Sequence, residues 1–301
     1  MDRRLAGLAV LILVVVAATV VPGLSGRRVA GSAVPKAFPD PPAIGDCAVS
    51  VPTREGGTSG EPVDLDVTAV GWGPCSGPIA GEVVAVQLSD NTTVSPGDDW
   101  PDTCFRGASA FAGLDVSGPY PTLAGAPSTD PVTWAPAVAA NIQRVHPDDE
   151  ERRAGRSWLA CLVTPAIRGS YRGTLEQAFV SGQLPEEFGV CWNGADLEQS
   201  GDLIPCGEPH SAQLLAIGDA SDRSLVSLDE LQSACRAVAT LVMRTDRPVE
   251  VGELATVIDV ADDGASADAP LTAGCFATAA GSRQLGGSLI GLDDRPVPFA
   301  S

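Results

Sequence analysis

The chain has 301 residues, 44% hydrophobic and 19% charged, which is enough apolar material for two ordinary cores and too much for disorder. Its formal net charge of −19 repels nucleic acid and anionic lipid headgroups, so neither is expected as a direct partner. Eight cysteines, none arranged as CxxC, point to disulfides and an oxidising compartment.

Met1-Asp2-Arg3-Arg4 is a short basic cap, and Leu5 to Val21 is an uncharged apolar run closed by Pro22 and Gly23. Such a run is long for a signal-peptide core and sits at the lower edge of a membrane span. No Ala-x-Ala follows it closely, and the first cysteine is Cys47, which argues against a lipoprotein signal. Residues 1–25 are therefore expected to be an uncleaved signal anchor in the plasma membrane, with the N-terminus inside and the bulk of the chain extracytoplasmic. The alternative is a signal peptide cleaved on secretion. Residues 26–43, rich in Pro, Gly, Ser and Ala without helical or strand period, read as a tether.

Beyond the tether the cysteines fall into two matching sets: Cys47, Cys75, Cys104 and Cys161, then Cys191, Cys206, Cys235 and Cys275. The step from second to third is 29 positions in both. Gly45-Asp46-Cys47 answers Gly189-Val190-Cys191, and Pro74-Cys75 answers Pro205-Cys206. Thr164, Gly173, Thr174 and Leu175 sit at the same offsets past the fourth cysteine as Thr278, Gly287, Ser288 and Leu289. Together these matches predict an internal duplication, with one repeat over 44–180 and another over 186–294.

Each repeat reads in the same order: a short strand with the first cysteine, a second strand from the Pro-Cys pair, a helix with the third cysteine, and a strand with the fourth. In the second repeat Ser227-Leu228-Asp229-Glu230 is a capping box. The helix it opens carries Leu228, Leu231, Cys235, Val238 and Leu241 or Val242 on one face. In the first repeat Pro101, Trp100, Cys104, Ala108 and Phe111 suggest a counterpart, although Gly107 weakens it. Asp148, Asp149, Glu150 and Glu151 read as a solvated helix start. The expected fold class is α+β, in two tandem disulfide-stabilised modules behind the anchor.

The first-to-second interval changes from 28 to 15 between the sets and the third-to-fourth from 57 to 40, while the second-to-third is constant. Length change is best tolerated in loops whose ends are pinned, since closure entropy grows only logarithmically. This favours Cys47–Cys75, Cys104–Cys161, Cys191–Cys206 and Cys235–Cys275. A zinc reading of Cys191, Cys206 and His210 is disfavoured, because Ile79 stands at the equivalent of His210 and exported thiols oxidise. No cofactor or metal is expected.

Ile204-Pro205-Cys206-Gly207-Glu208-Pro209-His210-Ser211-Ala212-Gln213-Leu214 resembles the V-P-C-x-x-P-H-x-x-E-V signature of the septum-formation domain of actinobacterial envelope proteins. That domain opens with a G-D-C element, matched by Gly45-Asp46-Cys47. Pro147, Gly155, Arg156 and Cys161 partly match the element before its last cysteine, and Gly287-Ser288-Leu289-Ile290-Gly291 matches its closing turn. The pattern departs from the family where Gln213 replaces the glutamate in repeat two and Ile79 the histidine in repeat one, which keeps Glu82. The resemblance implies an exported or membrane-anchored envelope protein associated with septation or cell-wall growth. Its partners would be envelope or divisome proteins, or a cell-wall polymer.

Other chemistry is sparse. His210, Glu208 and Glu82 are the candidate contact residues; His146 lies in the acidic helix start. Gly107-Ala108-Ser109-Ala110-Phe111 breaks the GxSxG elbow at its last position. Among 38 acidic residues some carboxylate pair is inevitable, so a wall hydrolase is a rival reading without a marked pair. Asp259, Asp262, Asp263, Gly264 and Asp268 fail the spacing of a calcium loop. Trp100, Trp134, Trp158 and Trp192 raise a polysaccharide-binding alternative, with Trp100 and Trp158 better suited to a core. The expectation is a non-enzymatic interaction module.

Overall fold

The structure, a computed structural model, describes residues 37–52, 63–88, 100–118, 120–124, 132–167, 169–193, 203–220, 226–245, 253–260 and 271–301. The expected anchor and most of the tether lie outside them. Among the described residues no helix is long and apolar enough to cross a membrane.

The first half of the chain supplies β1 (Cys47–Ser50), β2 (Val63–Asp66), β3 (Gly71–Gly73), β4 (Gly81–Leu88), helix α1 (Trp100–Phe111), β5 (Val132–Pro136) and β6 (Ala140–His146). Then come α2 (Asp149–Arg153), β7 (Trp158–Pro165) and α3 (Ala178–Ser181). The second half supplies β8 (Val190–Trp192), β9 (Leu203–Ile204), β10 (Ala212–Ala220), α4 (Leu228–Met243), β11 (Leu254–Val260) and β12 (Leu271–Ala279). The fold is mixed α+β and mostly sheet.

One sheet runs β2-β6-β7-β4-β1-β3 and the other β11-β12-β10-β8-β9. With β2 set aside, the orders coincide when each strand is replaced by the one holding the same place in the other half. The likeness extends to detail. A register shift interrupts β4 between Val83 and Ala85 on β7, and β10 between Leu214 and Ala216 on β12. Past the strands, Ile79 exchanges backbone hydrogen bonds with Tyr171, and His210 with Leu285.

The cysteines are joined as Cys47–Cys75, Cys104–Cys161, Cys191–Cys206 and Cys235–Cys275, with Cα–Cα distances of 5.4, 5.6, 5.3 and 5.4 Å. Helices α1 and α4 are thereby tied to β7 and β12, the last strand of each sheet. Cys75 and Cys206 lie in the turns before β4 and β10, not in the strands themselves. In α4 the Ser227 and Glu230 capping box closes the N-terminus. Leu231, Cys235, Val238 and Val242 are buried along one stripe, whereas Leu228, at the first helical position, is 64% exposed because the stripe begins one turn later. Gly107 is compatible with helix α1 for a steric reason: a Cβ there would lie 2.7 Å from the Cβ of Ala85 on β4. At α2 the carboxylates do form a capping box, from Asp148 and Glu151, but Glu151 is buried at 3% exposure beside Arg156 at 3.3 Å.

The unequal cysteine intervals have structural contents. The longer first interval houses β2, which pairs in parallel with β6 and brings Leu65 and Val70 over Val83, Val145, Trp158 and Leu162 on the outer sheet face. The longer third interval houses β5, which crosses to the other half and pairs antiparallel with β10. One apolar core includes Cys104, Cys161, Cys235 and Cys275 and runs through both halves, with Tyr171 edge-on to Phe188 at 4.8 Å. Residues Asp40–Ser301 accordingly form one compact unit.

Trp134 anchors the crossing strand. It is buried at 2% exposure, and its ring atoms lie 2.9–3.0 Å from where a Cβ on Gly218 would sit. Gly218→Val should therefore displace the indole and destabilise the protein by about 1–3 kcal/mol, the usual range for overpacking. Thermal melts with tryptophan emission would show it as a lower midpoint and a red-shifted spectrum; an unshifted pair would contradict this packing.

Candidate functional site

Two loops that follow the last strand of each sheet, around 169–175 and 283–291, are held by buried polar side chains at one equivalent position. Glu82 on β4 accepts hydrogen bonds from Leu175 N (2.7 Å), Thr174 Oγ1 (2.5 Å) and Tyr171 Oη (3.3 Å). Gln213 on β10 accepts from Leu289 N (2.7 Å) and donates to Ser288 Oγ (3.1 Å). Thr174 Oγ1 and Ser288 Oγ in turn accept from the backbone N–H two residues on. Burial, and then the neighbouring Glu82 carboxylate, push the Tyr171 phenol far above its ordinary range, so it remains a donor. Glu82 and Gln213 thus organise loops, and their burial takes them away from any partner's reach.

His210 occupies the place of Ile79. It is fully buried, and its Nδ1 donates to Glu208 O at 2.8 Å, while Nε2 is buried with no hydrogen-bond partner among the described residues. Glu208 itself is exposed. One imidazole nitrogen and the sulfurs of Cys191 and Cys206 lie within 4.8 Å of one another. The sulfurs are bonded to each other, and a disulfide offers no thiolate to a metal ion.

Desolvation holds His210 below its ordinary pKa, against a smaller upward pull from the Glu208 carbonyl. The folded state then prefers neutral imidazole, while the unfolded chain takes up a proton near pH 6.5. Stability from this group is complete above about pH 6.5 and is lost as pH falls toward the lowered folded-state pKa. His210→Ile, which copies Ile79, should flatten the fall in melting temperature between pH 7.5 and 5. An unchanged slope would remove His210 from the account.

The two loops form walls of a cleft of about 730 Å³ at the seam between the halves, crossed by residues 181–187. The chain is tightly layered here. Gly291 has φ +63°, and a Cβ on it would lie 2.0 Å from Gly182 O, so no other residue fits. Arg172, Glu186, Glu187, Asp293 and Arg295 bring both signs of charge to the rim. Arg295 is engaged with the carbonyls of Gly291 and Leu292, and Asp293 pairs with Arg244 at 3.0 Å. Arg172 is exposed and has no ion-pair or hydrogen-bond partner among the described residues.

The chain matches no family model, no curated protein and no solved structure.

The remaining sequence candidates are dispersed. Ser109 is buried within α1, far from the posture of a nucleophile elbow. His146 is half-buried, its Nδ1 3.2 Å from Asp66 and 2.7 Å from Arg152. Trp134 and Trp158 are buried, and Trp192 packs on Phe276 with ring centroids 5.4 Å apart, so these three make no common platform. Of the acidic turn Asp259, Asp262, Asp263 and Asp268, only Asp259, on β11, lies within the described residues. No sequence signal marked the cleft, because its rim is built by non-adjacent loops and the chain between the halves.

Proposed function

We propose that this chain is a non-enzymatic, membrane-anchored protein of the cell envelope, exposed outside the membrane and built from two copies of a septum-formation-type module. It acts as an interaction platform in septation or wall growth. The observation that carries this reading is the fate of the two signature positions. Glu82 and Gln213 are buried and hold equivalent loops, so the residues the resemblance marks serve a scaffold whose exposed product is the seam cleft. Four disulfides favour an exported setting. Equivalent strand orders favour duplication. A rim of mixed charge, with Arg172 unpaired among the described residues, suits a polar protein or polymer surface better than an apolar ligand.

A fluorescent fusion of the full chain should enrich at division septa, and Arg172→Glu should reduce that enrichment without changing the amount of protein. The purified chain should release no muropeptides from isolated walls. Turnover abolished by one Asp or Glu substitution, or uniform distribution around the cell, would overturn the platform reading in favour of a hydrolase or of a role unrelated to division.

A further inference from the structure

The two first-position bridges are equivalent in the fold but opposite in access. Cys191 and Cys206 are both at 0% exposure, and the backbone of Gly189 presses on the sulfur: a Cβ there would lie 2.3 Å from Cys206 Sγ. Gly45 holds the same place in the other half, two residues before the first cysteine, and a Cβ on it would meet nothing within 4 Å. Gly45 touches this bridge only through its carbonyl oxygen, 3.4 Å from Cys75 Sγ, and Cys75 is exposed while its partner Cys47 is 2% exposed. The remaining bridges, Cys104–Cys161 and Cys235–Cys275, have all their sulfur-bearing residues at 1% exposure or less. Cys75 is therefore the one exposed residue among the eight cysteines, with Gly45 O on one side of its sulfur at 3.4 Å.

We propose that Cys47–Cys75 is a thiol–disulfide exchange site, with Cys75 the sulfur attacked and Cys47 the leaving and resolving sulfur. The co-reactant is a low-molecular-weight thiol. Its thiolate attacks Cys75 Sγ, a new S–S bond forms there, and the bond to Cys47 breaks with its electron pair leaving on Cys47 Sγ, which takes a proton from water. Gly45 O, 3.8 Å from Cys47 Sγ, is placed to accept from the thiol so formed. Return attack by Cys47 thiolate on the adduct expels the small thiol and restores the bridge; a second external thiol instead yields the free dithiol and an oxidised small disulfide. Attack requires approach to the sulfur as much as a thiolate, so access decides which bridge and which sulfur reacts. The site is independent of the platform reading.

The test treats the purified full chain with 2-mercaptoethanol at pH 8, traps by alkylation at intervals, and maps the peptides. The expected first product carries the mercaptoethanol adduct on Cys75 and the alkyl group on Cys47, with the other six cysteines still bridged and at least about tenfold slower to open. Single variants supply a second reading without reduction: Cys47→Ser leaves Cys75 as a thiol that should react rapidly with a chromogenic disulfide, whereas Cys75→Ser should leave a slow Cys47. An adduct on Cys47, earlier opening of another bridge, simultaneous opening of all four, or equal rates in the two variants would each overturn the proposal.

Discussion

Replacing Cys235 and Cys275 together with alanine is expected to lower stability by about 4 kcal/mol, the chain-entropy value for a bridge spanning 40 residues. The bridge joins α4 to β12, and both sulfurs sit at 0% exposure in the shared core. Its loss therefore frees the unfolded chain and also leaves a gap in the packing. Urea unfolding of the double variant should show a lower midpoint. A variant as stable as the parent would mean that the helix is held to its sheet by packing alone.

Glu82→Ala is expected to cost about 3 kcal/mol, because it strands two buried donors, Leu175 N and Tyr171 Oη, and removes the bond from Thr174 Oγ1. Leu175 and Tyr171 are buried where water cannot replace the carboxylate, whereas the exposed Thr174 can turn its hydroxyl to water. Glu82→Gln supplies the contrast. The other half of the molecule already uses an amide, Gln213, to accept from Leu289 N and donate to Ser288 Oγ. Glutamine at 82 can accept from Leu175 N and donate to Thr174 Oγ1 in the same way, so this variant should lie within about 1 kcal/mol of the parent. Urea midpoints measured side by side decide the matter. Equal losses from Ala and Gln would show that the negative charge matters and that the two positions are not equivalent.

Much of the fold was legible because its signals are local. The Ser227 and Glu230 box needs only one helical turn, and the apolar stripe from Leu231 to Val242 needs only helical periodicity. The cysteine intervals pointed to the pairing of first with second and third with fourth, since variable loops are tolerated where their ends are pinned. Leu228 misled because a helical wheel does not say where burial begins. Glu151 misled because an acidic run looks solvated until a partner such as Arg156 is brought to it. Glu82 and His210 were visible as unusual positions, but their chemistry was not: a carboxylate or imidazole reads alike in sequence whether it faces a partner or braces a loop.

The order of the residues alone carried the eightfold cysteine pattern, its division into two sets, and the α+β character, all of which depend on spacing along the chain. Folding in three dimensions settled where the surplus lengths go. β2 covers one sheet, and β5 leaves its own half to join β10, because pairing of strand edges and burial of Trp134 over Gly218 are contacts between residues distant in sequence. The same holds for access to sulfur. Gly45 and Gly189 are the same letter at the same offset, yet Cys75 beside Gly45 is exposed and Cys206 beside Gly189 is buried, since shielding depends on what the rest of the chain packs around each turn.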